Sequence, residues 1–261
     1  MDMKLNDLHC HSSLSRCCTD ERMVPERILR HAVEAGYEAI CLTDHLWDSA
    51  VPGASSWYAP QDIEHVRSAL PLPQDPACRF FFGCETELPA SGVPALLREH
   101  FDAFDFVVIP VNHMHMQGLV RAEGIDTPEK MAVNIENRLE GLLEQALPFG
   151  KIGLAHLTCG LMFREGKIAD VMRAMNEARL LRILKGYAAV GTGIELNAGS
   201  FSEMSERPDD ILKIYRIAKE AGCKFYCSSD AHSVEALEGV GRVLPAVIRA
   251  LGLTEGDAYR I

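Results

Sequence analysis

The chain has 261 residues, 48% of them apolar and 24% charged, enough for one large domain or two small ones with a formed core. A disordered chain and a disulfide-stapled miniprotein are thereby excluded. Thirty-seven acidic against 26 basic residues give a formal charge of −11, which repels phosphate backbones and argues against extended nucleic acid as a partner. A small anion held through metal ions stays compatible with that field. The longest apolar stretch, around Phe104 to Val111, is far short of the roughly 20 residues of a membrane span. The N-terminus MDMKLNDLH lacks a signal-peptide apolar region, and the nine cysteines are scattered without a C-x-x-C pair. The expectation is a soluble cytoplasmic protein with reduced, mostly buried thiols and no membrane association.

In chain order, short apolar runs alternate with longer segments of helical period. A strand over Leu5–His9 precedes a helix over Pro25–Ala35, and a strand over Ala39–Thr43 precedes one over Gln61–Ala69. Strands over Phe80–Glu85, Phe106–Pro110 and Ile152–His156 are followed by helices over Pro94–Phe101, Pro128–Leu147 and Ile168–Leu184. Strands over Gly193–Asn197 and Lys224–Ser228 are followed by helices over Pro208–Ala221 and Val234–Leu251. Pro25, Pro128 and Pro208 stand where helices begin, and Gly36 and Gly222 where they end. No repeat, low-complexity tract or linker interrupts the pattern, which predicts a single α/β domain over 1–261 built on parallel strands with crossover helices.

The metal-capable residues fall at the C-terminal ends of these strands. His9 and His11 close the first run in LHCH, Asp44 and His45 the second in LTDH, Glu85 and Glu87 the third in GCETE. His113 and His115 follow the fourth in VNHMH, and His156 ends the fifth. Glu195 and Asn197 end the sixth, and Asp230 and His232 follow the seventh. In a closed parallel barrel all strand ends share one face, so side chains more than 200 residues apart converge there. Seven of the ten histidines take this position, whereas His31, His65 and His100 fall inside predicted helices at no common site. Imidazoles with carboxylates and no clustered thiolates favour zinc, manganese or iron over calcium or a Cys-rich structural site. Alternation along a strand turns Cys10 and Cys84 away from that centre.

An HxH near the N-terminus, TDH after the second strand, GxE after the third and a terminal DAH together resemble the PHP (polymerase and histidinol phosphatase) family, from His9 to His232. The resemblance implies a distorted seven-stranded TIM-like β/α barrel holding two or three divalent ions. It also implies a hydrolase of phosphate monoesters working through a metal-bridging hydroxide, on a small phosphorylated substrate such as histidinol phosphate. A nucleotide or nucleoside bisphosphate phosphatase, or a nuclease, is the alternative within the same family. Carried over residue by residue, His9, His11, Glu85 and Asp230 would hold one metal. Glu85 would bridge to a second, with His113 and His156, and Asp20, His45 and His232 would hold a third. The Asp20 assignment supposes an insertion, because Ser15 is followed by Arg16-Cys17-Cys18-Thr19 rather than by the family's Ser-Asp-Gly.

Either His113 or His115 is the ligand after the fourth strand, the other being free to meet the substrate phosphate or donate a proton. The general acid is His232, His115 or a metal-bound water. Arg164, eight residues after His156, is the candidate phosphate clamp, with Arg121 and Arg16 as alternatives. Asp44, Glu87, Glu195 and Asn197 are expected to orient ligating imidazoles or to cap strand ends. The loop from Leu46 to Pro60, with Trp47, Trp57 and Tyr58, is expected above the same face, as a lid over a substrate ring or as a packed loop.

Overall fold

The protein, in a computed structural model that describes residues 1–161 and 166–261, is built on parallel strands. They are β1 (Asp7–Cys10), β2 (Ala39–Leu42), β3 (His45–Leu46), β4 (Arg79–Thr86), β5 (Phe106–Pro110), β6 (Ile152–Ala155), β7 (Gly193–Asn197) and β8 (Lys224–Ser228). Hydrogen-bonded neighbours run β1-β2-β4-β5-β6-β7-β8, with β3 also on β4. The two-residue β3 continues β2: Leu42 pairs with Phe82 and His45 with Glu85, so the register carries across Thr43 and Asp44. Seven barrel positions result, as the sequence leads one to expect.

The barrel closes at a seam between β8 and β1 that is bonded mainly through side chains and strand ends. Asn6 Oδ1 accepts the Cys227 N–H at 2.9 Å and Asp7 Oδ1 accepts the Ser229 N–H at 2.9 Å. Beyond them the Asp230 N–H donates to the His9 carbonyl at 2.8 Å and the His11 N–H to the Ala231 carbonyl at 3.1 Å. The pairing of β1 with β2 shifts register between Asp7 and Cys10. At this irregularity two successive side chains enter the barrel: Leu8 joins its apolar floor and His9 its polar end, where a regular strand would send them to opposite faces.

Around the strands pack α1 (Pro25–Glu34), α2 (Ile63–Arg67), α3 (Pro128–Leu143), α4 (Ile168–Ala174), α5 (Glu177–Val190), α6 (Pro208–Glu220) and α7 (Gly239–Leu251). Pro25, Pro128 and Pro208 occupy first turns, where a missing N–H costs nothing. Gly36 at φ +73° and Gly222 at φ +87° supply the left-handed residue just after α1 and α6.

Two expected helices differ. The segment Pro94–Phe101 is non-helical through Leu97, whose N–H is held by Asp48 Oδ2 at 3.1 Å, and only then winds into a 3-10 helix over Arg98–Ala103. The single helix expected over Ile168–Leu184 breaks between α4 and α5. Asn176 accepts the Arg179 N–H at 3.0 Å as a helix cap while its own N–H donates to Glu136 on α3 at 2.6 Å. Among the described residues no helix is long and apolar enough to cross a membrane.

The core has two compartments. Between strands and helices lies the larger one, with Ile28, Leu29, Ile109, Leu139, Leu184 and Ile214 buried and with Cys10 and Cys84 facing it. Inside the barrel, Leu8, Cys41, Phe106, Val108, Ala155, Tyr226 and Tyr259 fill one end. The other end is polar.

Candidate metal centre

Strand register builds the polar end directly on the apolar floor. Glu85 pairs with Val108 and Glu195 with Tyr226, and residues paired across parallel strands share a face. Both carboxylates therefore enter the barrel, 1% exposed. Glu85 stands at the centre. Its Oε1 is 3.2 Å from His156 Nε2 and 3.8 Å from His113 Nε2. Its Oε2 is 2.8 Å from His45 Nδ1, 3.5 Å from His11 Nε2 and 3.6 Å from His9 Nε2. Asp230 faces it, with Oδ1 3.1 Å from His11 Nε2 and 3.5 Å from His9 Nε2, and Oδ2 3.7 Å from His156 Nε2.

Backbone strain turns two of these side chains inward. His156 at φ +63° and Asp230 at φ +51° lie in the left-handed region, which side-chain-bearing residues rarely adopt. Each is pinned there through its amide, His156 by Glu195 Oε2 at 2.7 Å and Asp230 by the His9 carbonyl at 2.8 Å. Strain of this kind persists only where the surroundings over-determine it, and it collects at functional sites.

A second set of groups orients the imidazoles. Glu195 Oε1 lies 2.6 Å from His9 Nδ1 and also accepts the Ser228 hydroxyl at 2.8 Å. Glu87 Oε2 lies 2.8 Å from His113 Nδ1 and accepts the Tyr58 hydroxyl at 2.7 Å. Asp44 acts on His11 through Ser15, whose hydroxyl donates to Asp44 Oδ1 at 2.7 Å and sits 3.0 Å from His11 Nδ1. Asn197 donates to Asp230 Oδ2 at 3.3 Å. Holding the outer ring nitrogen fixes the tautomer and leaves the inner one as a lone-pair donor.

Charge is balanced inside the cluster. Burial opposes ionisation of Glu85, yet His45 and His9 hold its carboxyl well below the ordinary range, and His9 and His156 do the same for Asp230. Burial disfavours imidazolium, but Glu85, Asp230 and Glu195 raise His9 to about 10. His11, buried between His232 and His45, is driven well below its ordinary value and stays neutral. His45 Nδ1 and Glu85 Oε2, both buried and 2.8 Å apart, have no hydrogen-bond partner of proper geometry, which is what a cation between donors would satisfy.

The ligand atoms fall into threes, each within 4.8 Å of the others: His9, His11 and Asp230; Glu85, His113 and His156; His11, His45 and His232. His9, His156 and Glu195 form a further such group. This imidazole and carboxylate chemistry suits divalent zinc, manganese or iron. His115 lines the cavity beside His113, ring centroids 5.5 Å apart, and His232 sits at the rim with its Nδ1 2.8 Å from the Asp230 carbonyl.

Asp20 departs from expectation. Its carboxylate is held by Arg22 at 2.8 Å and by the Val234 N–H at 3.0 Å, so it ties two surface segments together instead of joining the histidines. Cys17, which sequence reasoning passed over as one scattered cysteine among nine, lines the cavity instead, six residues after His11 on the loop leaving β1. Burial resists ionisation of its thiol, but the imidazoles of His232 and His45 bring it down to about 7. Arg164 lies outside the described residues. Arg16 reaches the Ser56 carbonyl at 3.1 Å, and neither it nor Arg121 is in the cavity wall.

The cavity above the cluster has a volume of about 510 Å³ and is walled by Trp57, Tyr58, Met116 and Leu161 besides the titratable groups. The loop from Leu46 to Pro60 divides its labour. Trp47 packs beneath it, donating to the Val51 carbonyl at 2.9 Å, while Trp57 faces His45, ring centroids 5.3 Å apart.

No curated protein matches the chain. Among solved structures, a histidinol phosphate phosphatase (HisK) from Lactococcus lactis, determined with zinc, L-histidinol and phosphate, is similar at a TM-score of 0.61 and 17% identity. That match covers 99% of this chain and 100% of the other. PsfC from Pseudomonas syringae matches at a TM-score of 0.43 and 17% identity, over 90% of this chain and 78% of its own. The PHP domain family matches residues 7–199, which include β1 through β7 and most of the polar end. The chain belongs to the PHP domain family.

Proposed function

We propose that the protein is a metal-dependent phosphoesterase acting on a small phosphomonoester, with histidinol phosphate the first candidate. The observation that carries this reading is Glu85, ionised and buried among five imidazoles at the floor of a cavity large enough for one small substrate. His9, His11, Glu85 and Asp230 would hold one ion, Glu85, His113 and His156 a second, and His45 and His232 belong to a third. When bound, such ions supply positive charge for the phosphoryl oxygens and acidify the attacking water.

The chain's own groups do the rest. Glu195, Glu87 and the Asp44–Ser15 pair keep the imidazoles oriented, so little reorganisation is needed as charge develops. The floor of Phe106, Val108 and Tyr226 excludes water from below. His115 in the wall stands where a proton can be given to the departing alcohol and serves as general acid, since His232, with its Nδ1 on the Asp230 carbonyl and its other nitrogen toward the third ion, has none to give. A cytoplasmic setting belongs to the same reading.

The similarity to HisK concerns the fold, so the substrate must be tested. A nucleoside phosphate is the second reading, favoured by the aromatic wall of Trp57 and Tyr58. Elemental analysis of purified protein, followed by a panel of histidinol phosphate, nucleoside mono- and bisphosphates and a diester, separates the readings. Two or three ions with monoester turnover support the proposal. Bound metal with diester cleavage alone overturns the substrate class, and protein that retains no divalent ion on purification and takes up none on addition overturns the reaction.

A further inference from the structure

Two of the three candidate ion positions include a carboxylate, Asp230 in one and Glu85 in the other. The group of His11, His45 and His232 consists of imidazoles alone. Of these, His11 is committed toward Asp230, 3.1 Å away. Asp20, the carboxylate that the family resemblance offers for this position, is occupied by Arg22 and the Val234 N–H. A divalent ion between His45 and His232 would therefore have no anionic ligand beyond Glu85, whose Oε2 lies 2.8 Å from His45 Nδ1 and which the other positions share.

Cys17 stands where one is needed. It lines the same cavity as His45 and His232, and both imidazoles act on its thiol. The loop is fastened on its far side, since the Cys18 thiol donates to the His232 carbonyl at 3.3 Å and Asp20 holds the Val234 amide. The Cys18 N–H also donates to the Ser15 carbonyl at 2.8 Å, so the turn carrying Cys17 is fixed at both ends. The buried Nδ1 of His45 and the Glu85 Oε2 2.8 Å from it, both without a hydrogen bond of proper geometry, independently mark a cation position at His45, which is 8% exposed.

We propose that the Cys17 thiolate, with the imidazoles of His45 and His232, holds a divalent ion of the cluster. On binding, the S–H bond breaks, its proton passes to solvent and the sulfur lone pair is donated to the ion. This gives the position a sulfur and two nitrogens, a softer set than the carboxylate-rich positions beside it, and one that prefers zinc to manganese. The inference rests on the metal-dependent reading of the site.

The test is anaerobic titration of metal-stripped protein with cobalt(II), following near-ultraviolet thiolate-to-cobalt charge transfer together with the number of ions bound. The band is expected in the wild type and in Cys159→Ser, which removes a second thiol near the cluster, one that acts on His156. It is expected to vanish in Cys17→Ser and in Cys17→Asp, the aspartate variant still binding the full number of ions and Cys17→Ala binding one fewer. Cobalt bound by the wild type without the band, or a band that survives Cys17→Ser, overturns the role of Cys17 and leaves the phosphoesterase reading intact. No cobalt bound at all overturns both.

Discussion

The two ends of the barrel interior are built from the same strands and obey opposite rules. At the lower end Phe106 and Tyr226 meet edge to face at 5.2 Å, and Tyr259 closes the plug with its N–H on the Phe225 carbonyl. Gly153 and Gly193 have no side chain there because the aromatic rings take that space. Polar atoms are few, the buried Tyr226 hydroxyl without a hydrogen-bond partner among them. One step further along β4, β7 and β8, the inward residues become Glu85, Glu195 and Ser228, and the strand ends add a ring of imidazoles. That end is buried but left incomplete, with unpartnered atoms on Glu85 and His45 and strained backbone at His156 and Asp230. The contrast teaches that the plug is what gives the polar end its chemistry: with water excluded from below, its lone pairs can be satisfied only by what enters from the cavity above.

The largest effect should come from neutralising the centre. Glu85→Gln keeps the side chain's shape but removes the charge shared by five imidazoles, and phosphatase activity should fall by more than about 100-fold with loss of bound metal. Far-ultraviolet circular dichroism should stay unchanged, since the plug does not depend on this charge. Retained metal and activity would remove Glu85 from the centre of the site.

The seam between β8 and β1 should reveal itself through pH. Burial raises the Asp7 carboxyl from 3.8 to about 7, against hydrogen bonds from Ser229 and His9. A folded-state value above the unfolded one means that the folded protein holds the extra proton. The stability it confers is full below pH 3.8 and is lost as pH rises through about 7, by at most about 4 kcal/mol. Urea unfolding of metal-free protein between pH 5 and 8 should show this decline, and Asp7→Asn should flatten it. Equal slopes for wild type and variant would show that Asp7 does not carry the proton.

The plug is tested by Gly153→Ala, whose added methyl would lie 2.4 Å from Phe106 Cζ and 2.6 Å from Tyr226 Oη. Overpacking of this kind should cost about 1–3 kcal/mol in urea unfolding. The number of ions bound should not change, and a variant that lost metal with little loss of stability would mean that the two ends are not separable.

The barrel and most of its polar end were legible because both depend on local signals. Short apolar runs, helix-starting prolines and the strand-end position of His9, His45, Glu85, His156 and Asp230 need no knowledge of distant partners. What was not legible depends on such partners. The break before Asn176 requires Glu136 on α3, and the 3-10 turn at Arg98 requires Asp48 on the lid loop. The inward turn of both Leu8 and His9 requires a register shift that no alternation pattern announces.

The choice between Asp20 and Cys17 is of the same kind, and it gives the smallest predicted effect. In sequence Asp20 looks like the better ligand, being a carboxylate at a plausible distance from Pro25. In the fold Arg22 claims it, and the same guanidinium reaches Glu235, 213 residues further on at 2.8 Å. An aspartate so engaged is a fastener between the β1 loop and the segment after His232, and its exposed ion pair adds little to stability. Asp20→Asn should therefore leave the metal count unchanged and the phosphatase rate within about 2-fold, the change expected of a surface substitution, whereas a true ligand would take one ion with it. Loss of one ion in Asp20→Asn, measured beside Cys17→Ala, would reverse the assignment of the third position and return it to the carboxylate.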